Sequence, residues 1–294
     1  LGLSSAASDV YKRQGLEIEK SVGVNPYKFG LIGSTDSHSG LSSPEESNFL
    51  GKFATDSTPE TKQRLGGQLS ANGWDMSASG LAAVWAEHNT REDIFAAFKR
   101  REVYATSGPR IILQLYAGWF FPEGAETSND FSNIGSEYGV PMGGELVATS
   151  EAQNSISILI NAIKDPKGAN LDRVQIVKGW IDEQSQLHER VYDVAWSGDR
   201  ETNDNGKLSP VTNTVDLKSG RYENSVGDES FTVKWIDPDF NVSQKSFYYA
   251  RVLEIPTPRN TLFDSIALQL DGPPRGAKII QERAYSSPIW YHPK

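Results

Sequence analysis

Cysteine is absent from the 294 residues, methionine occurs twice and histidine four times. Without cysteine there is no disulfide and no thiolate nucleophile or ligand, so cysteine usage marks no redox compartment. No apolar run approaches the roughly 20 residues needed to span a bilayer, which argues against a membrane span. Basic residues are outnumbered 29 to 38, leaving a net charge of −9. An acidic chain repels phosphate backbones, so a nucleic-acid partner is not expected. What is plentiful is aromatic: seven Trp and eleven Tyr, a usage that suits β-structure. The length accommodates two domains and a substantial core.

The opening segment, Leu1 to Gln14, differs in texture from the rest. It has no cationic start and no apolar stretch, so it is not a signal peptide. It reads as translated adaptor sequence, a non-native segment expected to pack against nothing, with the natural protein continuing upstream. Localisation is left open by this start; a periplasmic or secreted location is compatible with it.

Beyond it, Tyr27 to Ser34 reads as a short buried strand entering a Gly/Ser turn, and Ser39 to Gly80 as a long loop with one helical turn from Pro59 to Arg64. The clearest helix runs from Thr90 to Arg101. Thr90 is placed to cap it, acids fill the first turn, bases fill the last, and Ile94, Phe95 and Phe98 form an apolar stripe. Strands are expected at Leu81–Val84, Val103–Thr106 and Ile111–Tyr116. From Gly118 to Gly144 the chain is rich in Gly, Ser and acids, and nothing after Gly118 reads as helical. Segments at Ser155–Ile160, Leu171–Val177, His188–Val194, Ser230–Ile236 and Phe247–Leu253 alternate or are β-branched and aromatic, as antiparallel strands are. Glu254 to Arg259, with two prolines, reads as a rigid surface loop. The implied organisation is α+β: a non-native segment (1–14), an α/β unit (15–118), a linker (119–139) and an antiparallel β-sandwich (140–294) able to fold alone.

Chemistry concentrates at Thr35-Asp36-Ser37-His38. Side chains two apart in extended backbone share a face, so Asp36 and His38 converge on one point, and both suit zinc, manganese or iron. The alternative is a turn Asp beside a surface His. Trp85 and Glu87 share a face by the same period. Glu87 then serves as ligand, general base or substrate contact, or is a solvated residue before a helix. Arg110, after Ser107-Gly108-Pro109, suits an anionic substrate group or an ordinary ion pair. His88, His188 and His292 read as exposed, and Trp180, Trp196, Trp235 and Trp290 as core rather than a sugar platform.

Gly33-Ser34-Thr35-Asp36-Ser37-His38 resembles the closing metal motif of PHP (polymerase and histidinol phosphatase) domains, usually Gly-Ser-Asp-Ala-His, with Thr35 inserted. The helix from Thr90 and the Tyr104-Ala105-Thr106-Ser107-Gly108 stretch also resemble that family. Over Gly30–Leu41, Gly80–Arg110, Asp165–Trp180, Tyr248–Arg259 and Gln281–Tyr291 the chain is similar to the uncharacterised domain-of-unknown-function family 3604, whose members are bacterial. The resemblance implies that Asp36 and His38 are metal ligands, and that the α/β unit is the C-terminal remnant of a distorted PHP-like barrel. It implies hydrolysis of a small-molecule ester or phosphoester by metal-activated water. PHP sites also use a His-x-His pair, which this chain lacks, so the resemblance implies weak metal binding and little or no activity for this chain alone. A non-enzymatic carbohydrate- or protein-binding sandwich is the rival reading.

Overall fold

The computed structural model describes residues 2–34, 36–62, 73–148, 154–203 and 207–294, with side chains from Asp9 onward. The helices are α1 (Gly2–Val22), α2 (Arg91–Arg100), α3 (Phe131–Tyr138) and α4 (Asn260–Ala267). The strands run β1 (Leu81–Val84), β2 (Val103–Thr106), β3 (Ile112–Gly118), β4 (Gly139–Pro141), β5 (Glu145–Val147), β6 (Ser157–Ile163), β7 (Leu171–Ile181) and β8 (Leu187–Trp196). They continue with β9 (Ser230–Ile236), β10 (Ser246–Glu254), β11 (Thr257–Pro258), β12 (Ile279–Ile280), β13 (Arg283–Ser286) and β14 (Ile289–His292). The α+β class therefore holds.

Two sheets carry the fold. In the larger, β10 is central: β7 and then β8 lie along one edge, while β13 and β14 follow each other along the opposite edge. Outside β13 come β2 and β1, and outside β14 comes β5. The smaller sheet is ordered β4-β3-β6-β9. All these pairings are antiparallel except β14 with β5.

The inner faces of the two sheets share one core. Leu113, Leu115, Ile158, Ile160 and Val233 of the small sheet meet Val174, Ile176, Tyr248, Ala250 and Val252 of the large one. Period-two alternation along β10 sends Tyr248, Ala250 and Val252 inward and Phe247 and Tyr249 outward. The outer faces are covered as well. Leu16 of α1 packs with Val177, Ile181, Phe247, Tyr249 and Trp290, and Phe131 of α3 packs with Tyr116, Phe121 and Leu159. Coverage on both faces explains why β6 reads as a nearly continuous apolar run rather than a strict alternation. Leu16 is fully buried, so Leu16→Ala is expected to cost about 2–5 kcal/mol in urea unfolding. A change below about 0.5 kcal/mol would mean α1 does not stay docked on this sheet.

Several expectations are corrected. Residues from Asp9 do pack: Lys12 is buried, bonds Asp9 at 3.2 Å and lies over the Tyr249 ring, whose hydroxyl donates to Asp9 at 3.0 Å. The division at 118 and 140 does not match the sheets, because β2 pairs with β13 and β3 pairs with β6. Backbone hydrogen bonding thus makes the strands of both expected units members of common sheets. Helices do follow Gly118, α3 in the expected linker and α4 in the expected sandwich; apolar positions on each find a buried seat despite their Ser, Asn and Gly content.

Tyr27 to Ser34 forms no strand, and Phe29 and Ile32 are exposed. Within the long loop, Pro59–Thr61 is a 3-10 turn, and Arg64 lies outside the described residues. The helix cap is as expected, with Thr90 accepting from the Asp93 amide at 3.1 Å. The stripe is not: Ala97 is buried, whereas Phe95 and Phe98 are exposed. Glu254 to Arg259 is largely buried rather than a surface loop, because Ile255 and Thr257 through Arg259 pack inward.

Candidate functional site

The Asp36 segment is laid against the ends of β1 and β2. The Gly33 amide donates to the Leu81 carbonyl at 3.1 Å, and the Gly80 amide donates to the Ser34 carbonyl at 3.0 Å. A Cβ on Gly33 would stand 2.5 Å from the Leu81 carbonyl oxygen and 2.6 Å from that of Thr106, so only glycine permits this approach. Three residues on, Asp36 adopts a left-handed backbone with φ 45°, a conformation Asp tolerates better than most residues.

Asp36 and His38 do meet, though through a turn rather than a strand. The Asp36 Oδ1 and His38 Nε2 atoms are 3.4 Å apart, and both side chains are more than half exposed. Lys52 forms an ion pair with Asp36 Oδ2. That hydrogen bond chiefly, helped by the one from His38, holds the Asp36 carboxyl below its ordinary range. The His38 amide donates to the Lys52 carbonyl at 2.8 Å, and its ring lies 4.8 Å from that of Phe53. The loop carrying Lys52 is therefore fastened to the loop carrying the acid and the imidazole.

Asp36 and Lys52, though not His38, line a cleft of about 440 Å³, walled by Phe49, Met76, Ala105 and Tyr285 and edged by Ser34, Thr106 and Ser107. Hydroxyls and a lysine around an apolar floor suit an anionic or polar ester group more than a bare hydrocarbon. Among the described residues no group of three or more His, Cys, Asp or Glu is placed to hold a metal ion.

The other expected site residues lie elsewhere. Trp85 packs against the core and donates its indole N–H to the Leu113 carbonyl at 2.9 Å. Glu87 lies beyond the end of β1, is exposed, and contributes to the negative field on Arg100. Arg110 is exposed on the rim of a different cavity, its amide bound by Asp165 at 2.7 Å.

His88 pairs with Asp93 at 3.0 Å on the surface, and His188 pairs with Asp182 at 2.7 Å while stacking on Trp180. His292 corrects the expectation of exposure. Its side chain is only 15% exposed, between Glu145 and Glu19, and burial first, then Lys28, lowers its pKa. Lys52 and Phe49 had no signal in the sequence, since they sit in a loop without periodicity.

The profile of a protein family of unknown function, DUF3604, matches residues 8–293. The chain belongs to this family. The match includes residues 8–14 of the opening segment and spans both sheets, so DUF3604 here describes the sandwich together with the loops around Asp36. No curated protein and no solved structure matches the chain. No helix among the described residues is long and apolar enough to cross a membrane.

Proposed function

We propose that this DUF3604 chain is part of a metal-dependent hydrolase acting on a small ester or phosphoester, with Asp36 and His38 as two of the metal's ligands. One observation carries the reading. Two donors bound at about 2.0–2.2 Å to one tetrahedral ion lie roughly 3.4 Å apart, and Asp36 Oδ1 and His38 Nε2 are 3.4 Å apart. Both face solvent beside a cleft, so an ion can reach them without rearranging the core. A zinc, manganese or iron ion there supplies Lewis-acid polarisation and a nucleophile at neutral pH.

The chain's own residues account for the remainder. Lys52 keeps Asp36 ionised and is the cation nearest to where a phosphoryl or acyl oxygen enters. Ser34 lines the cleft as a hydroxyl donor, and Phe49 shields one side from water. Two protein ligands leave most of a coordination shell to water, so this chain by itself holds metal weakly and turns over slowly.

Zinc titration against a chromophoric competitor is the test. Weak binding is expected in the wild type, with a loss of about tenfold or more in Asp36→Ala and in His38→Ala, together with loss of any hydrolysis of p-nitrophenyl esters. Unchanged zinc affinity in both variants would falsify the assignment and leave these two as turn residues. The rival binding-module reading needs a solvent-facing aromatic platform. Trp290 and Tyr291 are buried and the Tyr192 hydroxyl is engaged by Asp239 at 2.6 Å, which leaves exposed rings such as Phe120 and Tyr138, 6.3 Å apart, as the surface that reading would use.

A further inference from the structure

A second cavity, of about 230 Å³, opens among the loops at Pro44–Ser47, Gly108–Arg110 and Asp165–Ala169 and the chain following β10. Two carboxylates form its polar end. Glu254, the last residue of β10, is 1% exposed, and its Oε1 has no hydrogen-bond partner. Glu282, just before β13, is 5% exposed and takes a hydrogen bond from the Ser107 hydroxyl. Both line the cavity.

Neighbouring acids are already committed. Glu46 accepts from the Ala78 and Asn260 amides and from the Asn260 side chain, and Asp165 accepts from the Arg110 and Lys167 amides. Of the cations near this end, Lys164 donates to the Gly168 carbonyl at 3.2 Å, Arg259 donates to the carbonyls of residues 74–76, and Arg110 and Lys167, which themselves line the cavity, leave Glu254 Oε1 unbonded. Glu254 Oε1 therefore stays unmatched, and an unmatched buried carboxylate oxygen is expensive unless something fills the space beside it. Phe263, Tyr222, Pro109 and Pro258 supply the apolar part of the lining.

We propose that this cavity binds a primary alkylammonium group, with its N–H donors on Glu254 and Glu282 and its methylenes against Phe263 and Tyr222. An ammonium fits better than a metal ion. Among the described residues no group of three His, Cys, Asp or Glu is placed to hold a metal ion, and an apolar lining beside a carboxylate pair matches a stem that ends in a charged nitrogen. Charge-assisted N–H bonds from the ligand would supply what Glu254 lacks. The proposal involves neither Asp36 nor His38, so it stands or falls apart from the metal reading.

The test uses butylammonium chloride as probe, with tetramethylammonium, butyrate and calcium as comparisons, followed by protein NMR and thermal melting. Butylammonium is expected to bind in the millimolar range and raise Tm, whereas tetramethylammonium, which has no N–H, and butyrate do neither. Butylammonium affinity is expected to rise with pH as the two carboxyls give up their protons, and Glu254→Gln is expected to weaken it at least tenfold at the alkaline end, where the free variant also loses less melting temperature than the wild type. Should that variant not fold, Tyr222→Ala reads the apolar wall, with a loss of several-fold expected. Zinc affinity at Asp36 is measured alongside and should not move. No binding of butylammonium, equal binding of tetramethylammonium, tighter binding of calcium through the same two residues, or undiminished binding in the variants would each overturn the proposal.

Discussion

Asp237→Ala is expected to destabilise the protein by about 3–5 kcal/mol, the range for stripping one member from a buried ion pair. Asp237 follows β9 in the small sheet, and Lys178 lies on β7 in the large one. Their 2.6 Å contact ties the sheets together, with side-chain exposures of 0% and 3%. The pair is fully bonded. Asp237 Oδ2 also accepts from the Tyr248 hydroxyl at 2.7 Å, Oδ1 accepts from the Asp239 amide at 2.9 Å, and Lys178 donates to the Asp239 carbonyl at 2.7 Å. Removing the carboxylate strands the ammonium and the phenol in the core, and each then carries a desolvation cost. Burial, reinforced by Asp237, holds the Tyr248 phenol far above its usual pKa, so in the wild type it is a neutral donor to that carboxylate. The double change Lys178→Met with Asp237→Leu should recover most of the loss, since replacing both partners removes the stranded charge. Urea unfolding of the single and double variants decides the matter. A double variant no more stable than Asp237→Ala would show that packing rather than charge accounts for the effect.

Stability should also fall as pH rises, with Glu282 a main contributor. Burial, followed by the nearby Glu46 carboxylate, pushes the Glu282 carboxyl from 4.5 up to about 8, against smaller opposing effects from Ser107, Arg283 and Arg259. Between those two values the folded protein keeps a proton that the unfolded chain has released. The folded state therefore binds more protons, and unfolding becomes easier with increasing pH. The contribution is fully present below about 4.5 and is lost as pH climbs through about 8. Glu254 acts in the same direction, its carboxyl raised first by burial and then by Glu282 and Asp165. At roughly 1.4 kcal/mol per pKa unit the effect is on the order of a few kcal/mol. Glu282→Gln resembles the protonated acid at every pH, so its melting temperature should decline less across the window and exceed that of the wild type at the alkaline end. Parallel melting curves for the two proteins would remove Glu282 from this role.

Where the sequence was informative, local physics was sufficient. Ser230–Ile236 is a strand over its full expected range because its apolar alternation meets one covered face. The Thr90 cap was readable from the spacing of Thr and Asp. Helix α3 was hidden because Gly135 looks like a breaker, yet a Cβ there would meet the Tyr116 ring at 2.5 Å, so glycine is what lets the helix lie on β3. Half of the candidate site was readable in the same local way: Asp36 and His38 are two residues apart. Lys52 is sixteen positions from Asp36, and only the folded loop brings it near. Glu254 and Glu282 become neighbours through the β10–β13 register, a long-range pairing that no periodicity encodes. Glu87 follows the end of β1 away from the Asp36 segment, and Arg110, past the turn after β2, lies on the rim of the second cavity.

The position of β13 and β14 bears on how the chain is made. These strands follow all the others in sequence, yet β13 lies between β2 and β10, and β14 between β10 and β5. During synthesis the large sheet cannot close when its first strands leave the ribosome. The edge of β10, carrying Phe247, Tyr249 and Val252, waits without its neighbours until residues 283–292 emerge. An unpaired apolar edge is a template for pairing with other chains, and pairings this distant in sequence form slowly. Nascent or C-terminally shortened chains should accordingly engage chaperones or aggregate, even though the finished sheet hides that edge completely.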